Sequence, residues 1–377
     1  MQVTDVGILR RFRCLSQVCP YGNNNIMENN AAHSLLGVTL KSGWKVIEKI
    51  TKTENSTGAF FSVCYKVEKK GQVCFLKVFD FAKFMLLSRE GTQIVDVVAD
   101  MINAYKYERN LSEHCKNKHV TKVAFVIDSG EEFLKDYTIG TIPYLIFELA
   151  DGDVRSKIDF SNKLDFAWKL RSLHDIAIGL EQLHCINVSH QDLKPSNILL
   201  FKQNSKLGDL GRSMCRDIDI DTQHNKQPYS GDLNYAPPEM MYKYFDADWN
   251  KRVFATDCYL LGSMIVFYFA GISMSALLLK HLPESLHLEK WRGTFDEIKP
   301  YLLEAFSKAI IEFRGCIEDE YFKNEISLVV KQLCFPLPEQ RGHPKNITYK
   351  HSSNFSLERF ISKLDLLARK AELKVKV

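Results

Sequence analysis

The sequence predicts an α+β fold in two lobes, a small β-rich lobe over about residues 42–149 and a larger helical lobe over about 150–377. Three observations predict it. Short β-prone runs crowd residues 44–150, a broad apolar stripe at helical spacing opens at Leu164, and helical texture persists from there to the end. Residues 1–41 read as an extension ahead of the first lobe, because "YGNNNIMENNAAHS" is rich in Asn and too weakly apolar to bury much surface.

The first lobe opens with "WKVIEKI", "FFSVCYKV" and "VCFLKVF". Glu68-Lys69-Lys70-Gly71-Gln72 parts the last two and reads as a hairpin turn. A helix is expected over roughly 92–115, with apolar residues at Ile94, Val97, Val98, Met101 and Ile102. Two further strands follow, "KVAFVID" at 122–128 and "IPYLIFELA" at 142–150. After Asp151-Gly152-Asp153 the pattern turns helical. Leu164 to His184 carries Leu164, Ala167, Trp168, Leu170, Leu173, Ile176, Ala177, Leu180 and Leu183 on one face. A last helix near 356–372 shows Leu357, Phe360, Ile361, Leu364, Leu367 and Ala368, which reads as core packing, and the closing "KVKV" as a solvated tail.

Composition excludes several classes. Charged residues at 25% and apolar residues at 45% are ordinary for a globular chain, and a net charge of +4 gives no argument for nucleic acid. The ten cysteines are scattered, many in apolar contexts, which suits reduced thiols in a cytoplasmic protein rather than a disulfide scaffold. Cys14 and Cys19 lack a matching second pair of ligands, so no zinc site is expected. Arg10, Arg11 and Arg13 precede no apolar run, which argues against a signal peptide. Cys258 to Leu279 is uncharged and long enough to span a bilayer, but Gly262, Ser263, Gly271, Ser273 and Ser275 dilute it; it reads as a buried central helix, with no membrane partner expected.

The chemistry concentrates in "HQDLKPSNILL", residues 190–200. Asp192, Lys194 and Asn197 stand together and then the chain turns apolar, as a reactive loop anchored by a buried strand would. "KLGDLGRS" follows and adds Asp209. Carboxylate and amide oxygens at 192, 197 and 209 suit Mg²⁺, which takes few protein ligands and shares the rest with phosphate and water. Lys194 adds a point charge for a phosphoryl oxygen. Phosphoryl transfer asks mainly for positioning and charge neutralisation, and these residues offer both.

With these residues the chain resembles the eukaryotic-type protein kinases, Ser/Thr branch, from about Ser42 onward. "HQDLKPSNILL" resembles their catalytic loop, Asp209-Leu210-Gly211 their metal-binding triplet, and "YAPPE" at 235–239 the end of their activation segment. The resemblance implies the two-lobed kinase fold, ATP and Mg²⁺ as cofactors and a protein substrate. It implies Asp192 as the base, Lys194 on the γ-phosphate, and Asn197 and Asp209 on the metal. His190 is expected to brace the loop. Lys77 in "VCFLKVF" matches the lysine that grips the α- and β-phosphates, with Glu108 as its ion-pair partner, although Glu90 and Glu113 are also available. Their separation is long for the family, so an extra helix or loop near 80–100 is expected. Phe147-Glu148-Leu149 resembles the linker whose backbone binds adenine, and Leu199 is counted with the nucleotide contacts. Asp257 is expected to accept hydrogen bonds from the catalytic loop, and Arg341 to pair with Glu239.

The departures from the family pattern are specific. Of the glycine-rich loop only Gly58 and Val63 survive, and Phe75 stands where a small residue normally faces adenine. Gln191 replaces the arginine that reads a phosphate on the activation segment, so activation independent of such a phosphate is expected. Asp232 replaces a Thr that contacts the catalytic Asp and Lys; an acid there would bias Lys194 and favour basic substrates. The leading function is phosphoryl transfer from ATP to Ser or Thr of a protein, with Tyr not excluded. The alternative is a pseudokinase scaffold that binds nucleotide or a partner without turnover. Oligomeric state is left open.

Overall fold

The computed structural model describes residues 30–51, 62–86, 93–137, 139–160, 166–218, 231–349 and 353–375. Gly58 and the expected glycine loop as far as Phe61, Glu90, Cys14, Cys19, Thr222, Tyr229 and Ser230 lie outside the described residues.

The first lobe is an antiparallel sheet of five strands: β1 (Lys45–Ile50), β2 (Ser62–Lys69), β3 (Gln72–Phe79), β4 (Val126–Phe133) and β5 (Thr141–Glu148), in the order β1-β2-β3-β5-β4. The expected hairpin joins β2 to β3 through Lys70 and Gly71, with φ of 54° and 80°; both residues are left-handed, the conformation that matches a two-residue turn to the twist of its strands. Two helices follow β3, α1 (Phe81–Leu86) and α2 (Ile94–Asn117), so the expected extra helix near 80–100 is present. Strand β4 begins at Val126 rather than Lys122. Residues 122–124 pair across the lobes instead: Leu207 N donates to Lys122 O at 2.9 Å and Ala124 N to Leu207 O at 2.8 Å. The β-prone pattern there was real, but its partner is a single residue of the other lobe.

The expected boundary at residues 41 and 42 does not mark where packing begins. Ala31, Ala32, Leu35 and Leu40 are buried in one cluster with Trp44, Val46, Tyr65, Val67 and Leu76. Two alanines and two leucines among asparagines give a weak apolar signal, yet they cover one face of the sheet.

The second lobe contains α3 (Val154–Phe160), α4 (Phe166–His184), α5 (Pro238–Met241), α6 (Trp249–Ala270), α7 (Met274–Lys280), α8 (Phe295–Gly315), α9 (Glu320–Leu333), α10 (Pro344–Tyr349) and α11 (Glu358–Val375). The predicted stripe of α4 is buried from Leu170 to Leu183, and α11 lies along it, tied by Arg171 to Asp365 and Glu372 at 2.6 Å each. Helix α11 continues to Val375, with Lys374 paired to Asp319, so the start of "KVKV" is helical rather than a free tail. Helix α6 is apolar enough for a span, mean hydropathy 1.6, but 83% of that stretch is buried inside the protein. The uncharged run is not one helix. It breaks at Gly271, whose φ of 75° ends α6, and Ser273 caps α7 by accepting from Ala276 N.

Short strands sit where the two lobes meet: β6 (Gly152–Asp153), β7 (Val188–Ser189), β8 (Ile198–Phe201), β9 (Asn204–Leu207) and β10 (Met214–Cys215). Strand β8 pairs with β6 and β9, and β7 with β10.

Candidate active site

The β8–β9 hairpin sets the geometry of the site. Ile198 pairs with Leu207 at its open end, so the residues just outside it, Asn197 and Gly208, are forced together; Gly208 N donates to Asn197 O at 2.8 Å. The hairpin therefore brings the segments of Asn197 and Asp209 side by side. Gly208 has a steric reason: a Cβ there would stand 2.7 Å from Leu199 Cδ1, so the half-buried Leu199 side chain rests against bare backbone.

The loop before the hairpin hangs on Asp257 of α6. Its Oδ2 accepts from His190 N at 2.8 Å and its Oδ1 from Gln191 N at 2.9 Å, as expected; Ser189 Oγ and His184 Nε2 add bonds of 2.8 and 2.9 Å. Burial alone would raise this carboxyl, but the bond from His184 and the loop amides outweigh it and hold Asp257 below its ordinary value. His190 braces the loop, with Nε2 3.1 Å from Gly208 O. Gln191 sits at φ 63° and turns its amide inward, donating from Nε2 to Ser189 Oγ at 2.5 Å and to Val253 O at 2.9 Å.

Asp192 is 3% exposed. Asn197 Nδ2 donates to its backbone oxygen at 2.8 Å and to Oδ2 at 3.2 Å, and Lys194 Nζ lies 3.2 Å from the same Oδ2. Its Oδ1 is buried with no hydrogen-bond partner among the described residues. Burial pushes this carboxyl up, and Lys194 offsets part of the shift. Asp232 stands 3.6 Å from Lys194, so that cation lies between two carboxylates, as the substitution at 232 suggested.

Across the cleft, Lys77 Nζ donates to both oxygens of Glu108, at 2.8 and 2.9 Å, and to Asp209 Oδ1 at 2.9 Å. Glu108 is thereby the partner among the candidate acids. Burial opposes the charge on Lys77, but Asp209 and Glu108 overcome it and raise the ammonium well above its ordinary range. Burial likewise opposes ionisation of Asp209, and Lys77 reverses it, leaving that carboxyl far below the usual range. Asp209 itself is left-handed, φ 58°. Val63 is buried in the first lobe opposite Val78. Phe147 packs near Phe75, ring centroids 6.4 Å apart. Glu148 ends β5 and bonds Lys206 at 2.8 Å, and Leu149 follows half-buried.

Over residues 96–280, from α2 to α7, the chain matches the family model described as "Protein kinase domain". The chain belongs to the eukaryotic-type protein kinase family. The kinase match begins after the glycine loop and the Lys77 strand, the region where the motif is most eroded. Relatives are distant. An Aurora kinase of Debaryomyces hansenii is 28% identical over 130 residues, 34% of this chain and 30% of that protein. A probable serine/threonine-protein kinase of Streptomyces coelicolor is 26% identical over 58% of this chain and 32% of its own length. Receptor-interacting serine/threonine-protein kinase 3 of Rattus norvegicus is 27% identical over 47% and 36%. The kinase chain thus spans about a third of the length of these relatives.

Several contacts in this kinase site escaped sequence reasoning. Tyr107 OH donates to Ser213 O at 2.7 Å, tying α2 to the segment after Asp209; only its place beside Glu108 hinted at it. Arg212 Nη1 donates to Gly231 O at 2.8 Å, and a Cβ on Gly231 would meet Gln191 O at 2.3 Å. That glycine lets the chain beyond residue 230 lie directly on the loop of Gln191 and Asp192.

Proposed function

We propose that this kinase transfers the γ-phosphoryl group of ATP to a Ser or Thr hydroxyl of a protein substrate. The observation that carries this reading is Asp192 Oδ1. It is a buried carboxylate oxygen with no partner among the described residues, beside an Oδ2 already held by Asn197 and Lys194. A buried acceptor left open is costly unless a donor arrives, and a substrate hydroxyl is such a donor.

In this reading Asp192 accepts the hydroxyl proton as that oxygen bonds to the γ-phosphorus and the bond to ADP breaks. Lys194 moves its charge to the transferred group, and Lys77, held by Glu108, steadies the α- and β-phosphates. The donor set of Asn197 and Asp209 fits a hard divalent ion such as Mg²⁺, whose role when bound is to neutralise phosphate charge.

A nucleotide-binding scaffold without turnover is the second reading, favoured by the Phe75 ring beside Phe147 at the linker. One experiment separates them. Purified protein is incubated with Mg²⁺, γ-labelled ATP and a general protein substrate, alongside Asp192→Asn. Label transferred by the wild type and lost in the variant supports the enzyme. ATP bound by both with label transferred by neither sinks the transferase reading and leaves the scaffold.

A further inference from the structure

The segment ahead of β1 grips a buried carboxylate next to the lysine strand. Asp80 is 1% exposed and lies three residues beyond Lys77, between β3 and α1. Its Oδ1 accepts from Asn30 Nδ2 at 2.8 Å and from Lys83 N at 2.9 Å, the latter in the first turn of α1. Its Oδ2 lies 3.2 Å from His33 Nε2. The other end of each gripping side chain is also occupied. Asn30 Oδ1 accepts from Ala32 N at 3.0 Å, and Lys49 Nζ reaches His33 Nδ1 at 3.2 Å. A lysine donating to Nδ1 leaves Nε2 as the protonated nitrogen, the one that can donate to Asp80. Tyr65 OH donates to Ala32 O at 2.7 Å and pins the segment to β2.

Asp80 is also a junction toward the site. Its neighbours Phe79 and Phe81 share a buried cluster with Met101 and Tyr105 of α2. Phe79 meets Tyr105 edge-on at 5.4 Å, and Lys77 Nζ lies 5.8 Å over the Phe79 ring. Tyr105 stands one helical turn before Glu108. A buried carboxylate that lost its donors would move toward water or draw water in. Either shift acts on the residues that fix the spacing of β3 and α2.

We propose that Asn30 and His33 are positioning residues: they clasp Asp80 and through it hold Lys77 of β3 and Glu108 of α2 in register. The consequence for catalysis rests on the reading of Lys77 as a nucleotide contact. The clasp itself does not.

The test uses the full chain with Asn30→Ala/His33→Ala, His33→Ala and His33→Gln, the last keeping a side-chain donor. Amide hydrogen exchange, which needs no nucleotide, is read first. Expected is faster exchange in residues 75–79 and 105–111 of both alanine variants, with α4 and α6 unchanged and His33→Gln close to wild type. Exchange that rises only within residues 30–50 overturns the proposal. Nucleotide titration is read second. The double variant, which removes both the Asn30 and the His33 bond to Asp80, is expected to raise the KM for ATP by roughly threefold to tenfold, the size of one hydrogen bond transmitted to the site, with kcat within about twofold. An unchanged KM with a lowered unfolding midpoint assigns the clasp to stability alone and overturns it. If the wild type binds no nucleotide while exchange still spreads to β3 and α2, the clasp stands and the transferase reading falls. A double variant that does not fold leaves the decision to the two His33 variants.

Discussion

Arg341 and Glu239 meet in a two-pronged ion pair, Nη1 to Oε1 and Nη2 to Oε2, both at 2.5 Å, with the guanidinium fully buried. Arg341 also donates to the carbonyls of Phe335, Ala255 and Pro336, so one side chain ties α5, α6 and the chain after α9 together. Removing one partner strands a buried charge. Arg341→Met is therefore expected to lower unfolding free energy by about 3–5 kcal/mol, and Arg341→Met/Glu239→Leu by less than the sum of the single changes. Urea denaturation with a double-mutant cycle measures both. A single variant with the wild-type midpoint would refute the pair's role.

Glu108→Gln keeps the shape but removes the charge that, with Asp209, holds Lys77 protonated and in place. Charge-assisted bonds contribute about 1.5–3 kcal/mol, so ATP affinity should fall by roughly ten- to a hundredfold while the fold survives. Calorimetric titration against wild type decides it, and equal affinities would remove Glu108 from the nucleotide site.

Asp257 predicts an acid dependence. Its folded carboxyl lies below its ordinary value of 3.8, so it stabilises the fold above that pH and loses the contribution as pH falls through the folded value. Asp257→Asn should cost about 2–3 kcal/mol at pH 7, and its deficit relative to wild type should shrink below pH ~4. Unfolding curves at pH 7, 5 and 3.5 test this. A deficit that grew on acidification would contradict the assignment.

Gln191 faces inward to Ser189 and Val253, and Ser213 Oγ is buried, donating to His190 O at 3.3 Å. Neither offers a cation to a phosphate. Phosphatase-treated protein is expected to keep its transfer rate within about twofold, where a segment docked by a phosphate would lose about tenfold or more. Replacing Ser213, Thr222, Tyr229 and Ser230 together by Ala is the matching genetic test, and loss of transfer would overturn the idea.

The parts of the site that could be read from sequence are those fixed by short spacing. Asp192, Lys194 and Asn197 fall within one loop, and Asn197 and Asp209 flank one hairpin, so their meeting follows from local geometry. The Lys77–Glu108 pair needed the resemblance, because nothing between residues 77 and 108 specifies where a helix will dock. Contacts made by backbone atoms were invisible: Tyr107 to Ser213 O, and Gly231 against Gln191 O, leave no periodic trace. The packing of residues 30–40 was missed for a different reason. Its apolar content is low, but the sheet face it covers, with Tyr65, Val67, Leu76 and Ile146, is itself apolar. Gly271 was noted as diluting an apolar run, and the sign of its φ is what converts dilution into a chain break.

The β8–β9 hairpin works as a ruler. Because Ile198 and Leu207 form its last rung, one residue added inside either strand would invert every side chain between the addition and the open end, swapping buried Ile198 or Leu207 outward and displacing Asn197 from Gly208. The tip at Lys202 and Gln203 has no such obligation, and Lys202 already adopts φ 54°. Length variation in this kinase can therefore accumulate at one end of the hairpin, while the other end keeps its count fixed.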